Sequence, residues 1–599
     1  MMTLEKDAVP VTTSPAKAWL RALELTAPLT RDPFRTLPVL IQEAAALHGE
    51  APALLSKQET FSYRTLAARA NKYARWALEH RIEKGDVVCL LMANRPEYFA
   101  IWLGITSIGA VVSLLNTNLV DASLAHSIRI VTPKLVIASA EFANVLRNAF
   151  PSADQPATIW IHGEGDLEFQ RIDSEVQRYS GGLLSVEERR PPAIHDLALY
   201  IYTSGTTGLP KAARVSHMRA MQWSHWFAGM MDVQPIDRMY NCLPMYHSVG
   251  GVQVIGAMLV AGGSVVIREK FSASQFWDDV ARWDCTLFEY IGELCRYLLH
   301  TEPSANEREH RIRMACGNGL SAEIWDAFKD RFRIPQILEF YAATEGSVSL
   351  FNMQGKRGAI GHIPPYLKHR FSALLVATDI ETGVPLRNEN GLCVPCMANE
   401  VGEALGKIVN DSSSLGTRFE GYTSTEDSKK KILRNVLAPG DAWFRTGDLM
   451  RKDEKGYYYF VDRMGDTFRR KGENVATSEV SEVICGMPGV QHANVYGVAV
   501  AGVEGRVGMA ALVADGSLDL AALRKHLASR LPVYARPVFV RVLSEASLTG
   551  TFKYSKTDLL RDGFDPNRST DALYFDNGCT FVPVDLDLYA RIQDGQVRL

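Results

Sequence analysis

The chain has 599 residues, 47% apolar and 22% charged, the balance of a soluble globular protein and long enough for several domains at about 100–200 residues each. A net charge of −3 gives no electrostatic basis for binding nucleic acid, and that class of partner is set aside. Nine cysteines at irregular spacing fit a reducing compartment, with most of them as small buried apolar groups.

The first residues, "MMTLEKDAVPVTTSPAKAW", lack a basic region followed by an apolar core, so no secretory signal is expected. Two charge-free stretches, 98–120 and 248–267, approach the roughly 20 residues a membrane span needs. Ser, Asn and Thr crowd the end of the first, and Gly262 and Gly263 split the second into a helix-like half and a β-branched half, "SVVI". Both therefore read as buried core.

From residue 198 onward short apolar runs alternate with helical patterns. "ALYIYT" is followed by a Gly/Thr loop and the helical stretch "ARVSHMRAMQWSHWFAGMM". "RMYNCL" leads to "GGVQVIGAMLVA", and "TLFEYI" to "GELCRYLLH". "IRMACGNGL" precedes "SAEIWDAFKDRF", and "QILEFYAATE" closes the series. Repeated strand, loop and helix predict an α/β fold with a largely parallel sheet, whose ligands gather where the strands end. The pair Cys393 and Cys396 in "GLCVPC" has no second CxxC and reads as structural. Charge concentrates around Gly465 in "YYYFVDRMGDTFRRKGENV", and smaller elements with their own strands follow. This places a boundary at about 463, giving domains 1–463 and 464–599.

The loop in "YIYTSGTTGLPKAARVSH" (200–217) carries the first chemistry. Gly205 and Gly208 let backbone approach oxygens closely. Ser204, Thr206 and Thr207 add hydroxyl and amide donors, and Lys211 adds positive charge, which suits a polyphosphate. A Walker loop is excluded. Leu209 and Pro210 intervene before Lys211, and Ala212 stands where a magnesium-binding Ser or Thr belongs.

"YTSGTTGLPKAA" resembles the signature of the acyl-adenylate-forming superfamily, which includes acyl-CoA synthetases, luciferases and peptide-synthetase adenylation domains. "FEYIGELCRYLL", "GNGLSAEIWDAFKDRF", "DRMGDTFRRKGENVATSEV" and "TGTFKYSKTDLLRDGFDP" resemble more specifically the fatty acid transport protein family, the very-long-chain acyl-CoA synthetases. The resemblance runs in order along nearly the whole chain. It implies a large N-terminal region of packed α/β sheets with a distorted barrel, and a small mobile α+β domain over it. It also implies ATP, Mg²⁺ and coenzyme A as reactants and cofactor. A carboxylate attacks the α-phosphate to give acyl-AMP and pyrophosphate, and the CoA thiolate then displaces AMP.

The same resemblance assigns roles. The 203–211 loop, with Thr203, Ser204, Gly205, Thr206, Thr207, Gly208 and Lys211, would hold the β and γ phosphates. In "YAATE", Tyr341 matches the aromatic that stacks adenine, Thr344 the α-phosphate contact and Glu345 the Mg²⁺ ligand. Ala342 stands where the family has Gly. Asn318 and Gly319 match the adenine-contacting turn. Asp448 matches the ribose-binding carboxylate, and Arg463 a second ribose or phosphate contact. His247 lies at the wall between acyl carboxylate and phosphates, with a positioning role. Lys553 aligns with the C-terminal catalytic lysine, and Phe552 replaces the usual Gly before it. Lys556 is a neighbour of lesser consequence. Gly465 matches the hinge, and Gly472, Glu473 and Asn474 the thioester-forming face.

The implied activity is a long-chain or very-long-chain fatty acyl-CoA synthetase. A ligase for another bulky carboxylate, such as a bile acid or steroid, and an uptake protein acting by vectorial acylation are the alternatives. Partners are small molecules, in a cytoplasmic setting. Peripheral association with the inner face of a membrane and homodimerisation stay open.

Overall fold

The computed structural model describes residues 14–150, 157–165, 169–203, 209–380, 382–409, 418–471, 473–501, 503, 505–543 and 556–597. Contacts divide the chain into two units, one of residues 1–318, 327–356 and 409–430, the other of 319–326, 357–408 and 431–599.

The first unit holds two sheets. One orders its strands Gln170–Arg171, Thr158–His162, Leu135–Ser139, Val87–Leu91, Val111–Leu114, Leu197–Thr203 and Lys211–Ser216, all paired parallel except the last two. Its central runs, "VVCLL", "VVSL" and "LVIAS", are buried end to end, as strands with both faces covered must be. Parallel neighbours need crossovers, which helices such as Pro96–Ser107 and Asp121–Arg129 supply. The apolar stretch beginning at Tyr98 is thus a helix, opened by Pro96 with Glu97 in its first turn, and then the strand Val111–Leu114. The stretch beginning at Ser248 likewise splits into helical turns through Val260 and the strand Ser264–Ile267. Among the described residues no helix is long and apolar enough to cross a membrane.

The second sheet runs Ser349–Asn352, Gln336–Ala342, Met314–Asn318, Leu287–Ile291, Arg238–Asn241, Ser264–Ile267, Pro52–Leu55 and Thr60–Ser62. Its pairs are parallel apart from the two at its edges. The loops carrying His247, Asn318 and Thr344–Glu345 all leave the C-terminal ends of its parallel strands. Gly317 is required there, because a Cβ on it would lie 2.2 Å from the Tyr290 carbonyl oxygen of the next strand.

One expectation fails locally. The stretch after the Gly/Thr loop is not helical from Ala213. Lys211–Ser216 is a strand, paired antiparallel with Leu197–Thr203, and the helix starts only at His217. Ser216 caps it, its hydroxyl accepting from the Arg219 N–H. The loop therefore joins two strands of a hairpin and has no helix dipole behind it.

The second unit contains an antiparallel sheet of Gly361–His362, Tyr457–Arg463, Ala442–Lys452, Val401–Lys407 and Ala373–Val376, with Ile432–Arg434 on Ala442–Lys452. Register shifts at Glu403/Leu405 and Leu449/Met450 add twist, which curves it toward a half-barrel. The same unit holds a mixed five-stranded sheet, Val490–Val498 to Phe581–Pro583. Val495, Leu512 and Val540 on one face pack with Leu523 and Leu527 of the helix Leu520–Arg530, and Tyr496, Met509 and Phe539 on the other pack with Phe564 and Phe575. The expected α/β region with distorted barrel and α+β C-terminal part describes these elements well.

Candidate active site

In the first unit the hairpin places Thr203 opposite Lys211 at the mouth of the loop. Ser204, Gly205, Thr206, Thr207 and Gly208 lie outside the described residues. A segment more than 200 residues further along the chain completes the hairpin. Arg214 N–H donates to the Gly421 carbonyl at 2.9 Å and Thr423 N–H to the Ala212 carbonyl at 3.1 Å, so the chain around Tyr422 pairs with the outer edge of Lys211–Ser216. Glu420 accepts from the Ser216 N–H at 2.7 Å and from its hydroxyl at 2.6 Å.

This pairing delivers two side chains that sequence reasoning missed. The buried Tyr422 hydroxyl donates to the Glu345 carboxylate and is also hydrogen-bonded to Thr203. Burial, then the Glu345 charge, pushes that phenol well above its ordinary range, so it stays a donor. Asp427 accepts from the Lys211 ammonium at 2.8 Å, and that bond is the main reason its carboxyl lies below its usual value. The signal for both is weak in sequence, because Glu345 and Lys211 lie far from them along the chain.

The turn after Gln336–Ala342 is held from the same side. Arg219, buried in the first turn of His217–Met231, donates to the Thr344 carbonyl at 2.7 Å and to the Arg418 carbonyl. The Thr344 hydroxyl lies 3.3 Å from that of Ser248, whose neighbour His247 packs on Tyr246 at 4.5 Å between ring centroids. Thr203, His247, Thr344 and Glu345 are thus linked through Tyr422, Ser248 and Arg219, and Lys211 joins them as the strand partner of Thr203. Tyr341 and Ala342 are half-buried in the strand leading to them, and Asn318 ends the neighbouring strand. Gly319 follows with φ +83.

Glu345 is 8% exposed. One buried carboxylate suits magnesium, which takes one or two protein oxygens and completes its shell with phosphate and water. Among the described residues no group of three or more His, Cys, Asp or Glu forms an all-protein metal cage. Cys393 and Cys396 are free thiols.

In the second unit the two expected ribose contacts stand together. Asp448 and Arg463 face each other across Ala442–Lys452 and Tyr457–Arg463, with Arg463 Nε 3.4 Å from Asp448 Oδ1. Asp448 is buried and Arg463 exposed. Two residues on, Gly465 has φ +92 with open space around it. Glu473 and Asn474 are exposed on a short hairpin with Phe468–Arg470, while Gly472 and Lys553 lie outside the described residues. Lys556 is more engaged than expected. Its ammonium lies 3.1 Å from Asp466 and donates to the Thr477 hydroxyl at 3.2 Å. The buried Asp462 carboxylate accepts from the Thr477 N–H at 2.6 Å, satisfying a free amide in the first turn of the helix Thr477–Cys485.

The model of the AMP-binding enzyme family matches residues 41–394, and that of the AMP-binding enzyme C-terminal domain matches 479–553. Long-chain fatty acid transport protein 1 of Mus musculus is 40% identical over 576 residues, 94% of this chain and 88% of that protein. Among solved structures, ATP-bound MatB from Rhodopseudomonas palustris shares the fold with a TM-score of 0.73 at 23% identity, over 89% of this chain and 99% of that one. The anthranilate CoA ligase AuaEII in complex with anthranoyl-AMP gives 0.74 at 20% identity, over 88% and 97%. The chain belongs to the AMP-binding enzyme family and, within it, to the long-chain fatty acid transport proteins.

Proposed function

We propose that this protein is an AMP-forming ligase that joins a long-chain fatty acid to coenzyme A. Family membership carries the reading, and the linked group of Thr203, Lys211, Thr344 and Glu345 supports it with a place for a nucleotide triphosphate. A carboxylate oxygen of the fatty acid attacks the α-phosphorus, and the bond from that phosphorus to the bridging oxygen of pyrophosphate breaks. The CoA thiolate then attacks the acyl carbon, and AMP leaves with one oxygen from the original carboxylate. No base is needed in the first half, since the carboxylate is already ionised at neutral pH. What the protein supplies is positioning and charge.

Lys211 and the hairpin loop hold the outer phosphates, and the Thr344 hydroxyl meets the α-phosphate, its turn fixed by Arg219. Tyr341 packs on adenine beside Asn318 and Gly319. Asp448 accepts from the ribose hydroxyls, with Arg463 as its neighbour. His247 walls the acyl carboxylate from the phosphates. Glu345, its carboxylate oriented by Tyr422, would hold Mg²⁺. That ion supplies neutralisation of phosphate charge when bound. Lys553 bridges carboxylate and α-phosphate, and rotation of a domain 464–599 about Gly465 replaces it with Gly472, Glu473 and Asn474 at the thioester step. That division, 1–463 and 464–599, is part of the proposal.

The test is release of AMP and pyrophosphate from ATP across acids from acetate to C24 and cholate, with and without CoA. Turnover confined to long chains and dependent on CoA supports the reading, whereas AMP release indifferent to CoA refutes the ligase. The relatives' name favours one companion role, uptake driven by trapping of the acid as its thioester. Import by cells carrying Lys553→Ala separates trapping from carriage, because only a carrier keeps working.

A further inference from the structure

The pair Lys211–Asp427 has a consequence for the order of events at the phosphate site. The two side chains are 19% and 24% exposed, so solvent screens them only in part. The carboxylate is not what holds its segment in place. The backbone bonds of Arg214 and Thr423 and the two bonds of Ser216 to Glu420 already dock that segment. Asp427 is therefore an electrostatic partner placed on a cation that the loop reserves for phosphate.

We infer that Asp427 is a positioning residue that neutralises Lys211 while the site is empty and is displaced by the outer phosphates of ATP. An ammonium carries three donors on a flexible stem. Swinging from a carboxylate to a polyphosphate therefore needs only rotations of the side chain. The exchange has a direction in the cycle. When pyrophosphate forms, Asp427 competes for the same ammonium, weakens retention of that product and restores the empty state. The cost is some affinity for ATP. AMP has no outer phosphates and is indifferent to the exchange. The inference rests on the proposed ATP site and adds a residue that the sequence motifs do not contain.

Asp427→Asn keeps the shape and removes the charge. Calorimetric titration of wild type and variant with ATP, pyrophosphate and AMP reads the effect. The variant is expected to bind ATP and pyrophosphate roughly two- to fivefold more tightly, the range of a partly exposed ion pair, with AMP unchanged. Pyrophosphate becomes a correspondingly stronger product inhibitor. Asp427→Ser removes the charge without an amide and must agree. In a Lys211→Met background the gain from Asp427→Asn shrinks, since the contested cation is gone. Equal or weaker ATP and pyrophosphate binding by both variants overturns the inference while the ATP site stands. So does an equal gain for AMP. Wild type that binds neither ATP nor AMP overturns the site and the inference together.

Discussion

At the scale of single residues, two carboxylates of opposite character mark what the fold does with charge. Asp448 is buried but faces Arg463, and its proposed partner is a ribose. A hydrogen bond to a charged group is worth about 1.5–3 kcal/mol, so Asp448→Ala is expected to weaken ATP binding roughly tenfold to a hundredfold. The preference for ATP over 2′-deoxy-ATP should shrink with it, and a preference retained in full removes Asp448 from the ribose site. Glu289 is the opposite case. It is 1% exposed on the strand Leu287–Ile291, beside Cys316 of the next strand, and burial pushes its carboxyl well above the ordinary value. The folded protein thus holds a proton that the unfolded chain releases. The stability this contributes is complete below the unfolded value and falls as pH rises past it, by about 1.4 kcal/mol per pH unit until the folded value is reached. Glu289→Gln should raise the melting temperature at pH 8 and do so much less at pH 5. An equal shift at both would mean that the carboxyl is not protonated in the fold. Thr344 and Glu345 can be proposed from sequence because they sit in one short run at the end of a strand. Tyr422 and Asp427 cannot, because their partners are 77 and 216 residues away.

At the scale of elements, the hairpin at Lys211–Ser216 is where local and tertiary preferences conflict. "KAARVS" has helix-forming residues, and propensity alone extends the following helix back through it. Pairing with Leu197–Thr203 on one side and the Tyr422 segment on the other overrides that preference. Elements whose apolar pattern was unambiguous, such as Leu287–Ile291 and Gln336–Ala342, match the sequence reading. The junction where strand becomes helix carries a titration. His217 opens the helix fully buried, and burial lowers its imidazole from 6.5 to about 4. A group kept neutral by the fold supports it above the unfolded value and withdraws that support as pH falls through the folded one. Between pH 6.5 and about 4 this amounts to roughly 3 kcal/mol. His217→Gln is therefore expected to flatten the acid limb of stability in urea titrations at pH 7 and pH 5. A limb of unchanged steepness would assign acid lability elsewhere.

At the scale of the whole molecule, the proposed reaction uses two arrangements of one set of residues, and Gly465 is the proposed pivot. Its φ of +92 is beyond proline, whose ring fixes φ near −65°. Gly465→Pro therefore excludes the described backbone at that point. Adenylation is expected to survive and thioester formation to fail, in protein that melts within a few degrees of wild type. Equal loss of pyrophosphate exchange and acyl-CoA formation would move the pivot to Met464 or Asp466. The central claim, that a fatty acid is activated as its adenylate before the thiol attacks, is tested most directly by following oxygen. The protein is given a long-chain fatty acid labelled with ¹⁸O in both carboxylate oxygens, together with ATP and CoA, and the products are weighed by mass spectrometry. One labelled oxygen is expected in AMP for each acyl-CoA formed, and none in pyrophosphate. Label in inorganic phosphate beside ADP, or AMP without label, would contradict that claim.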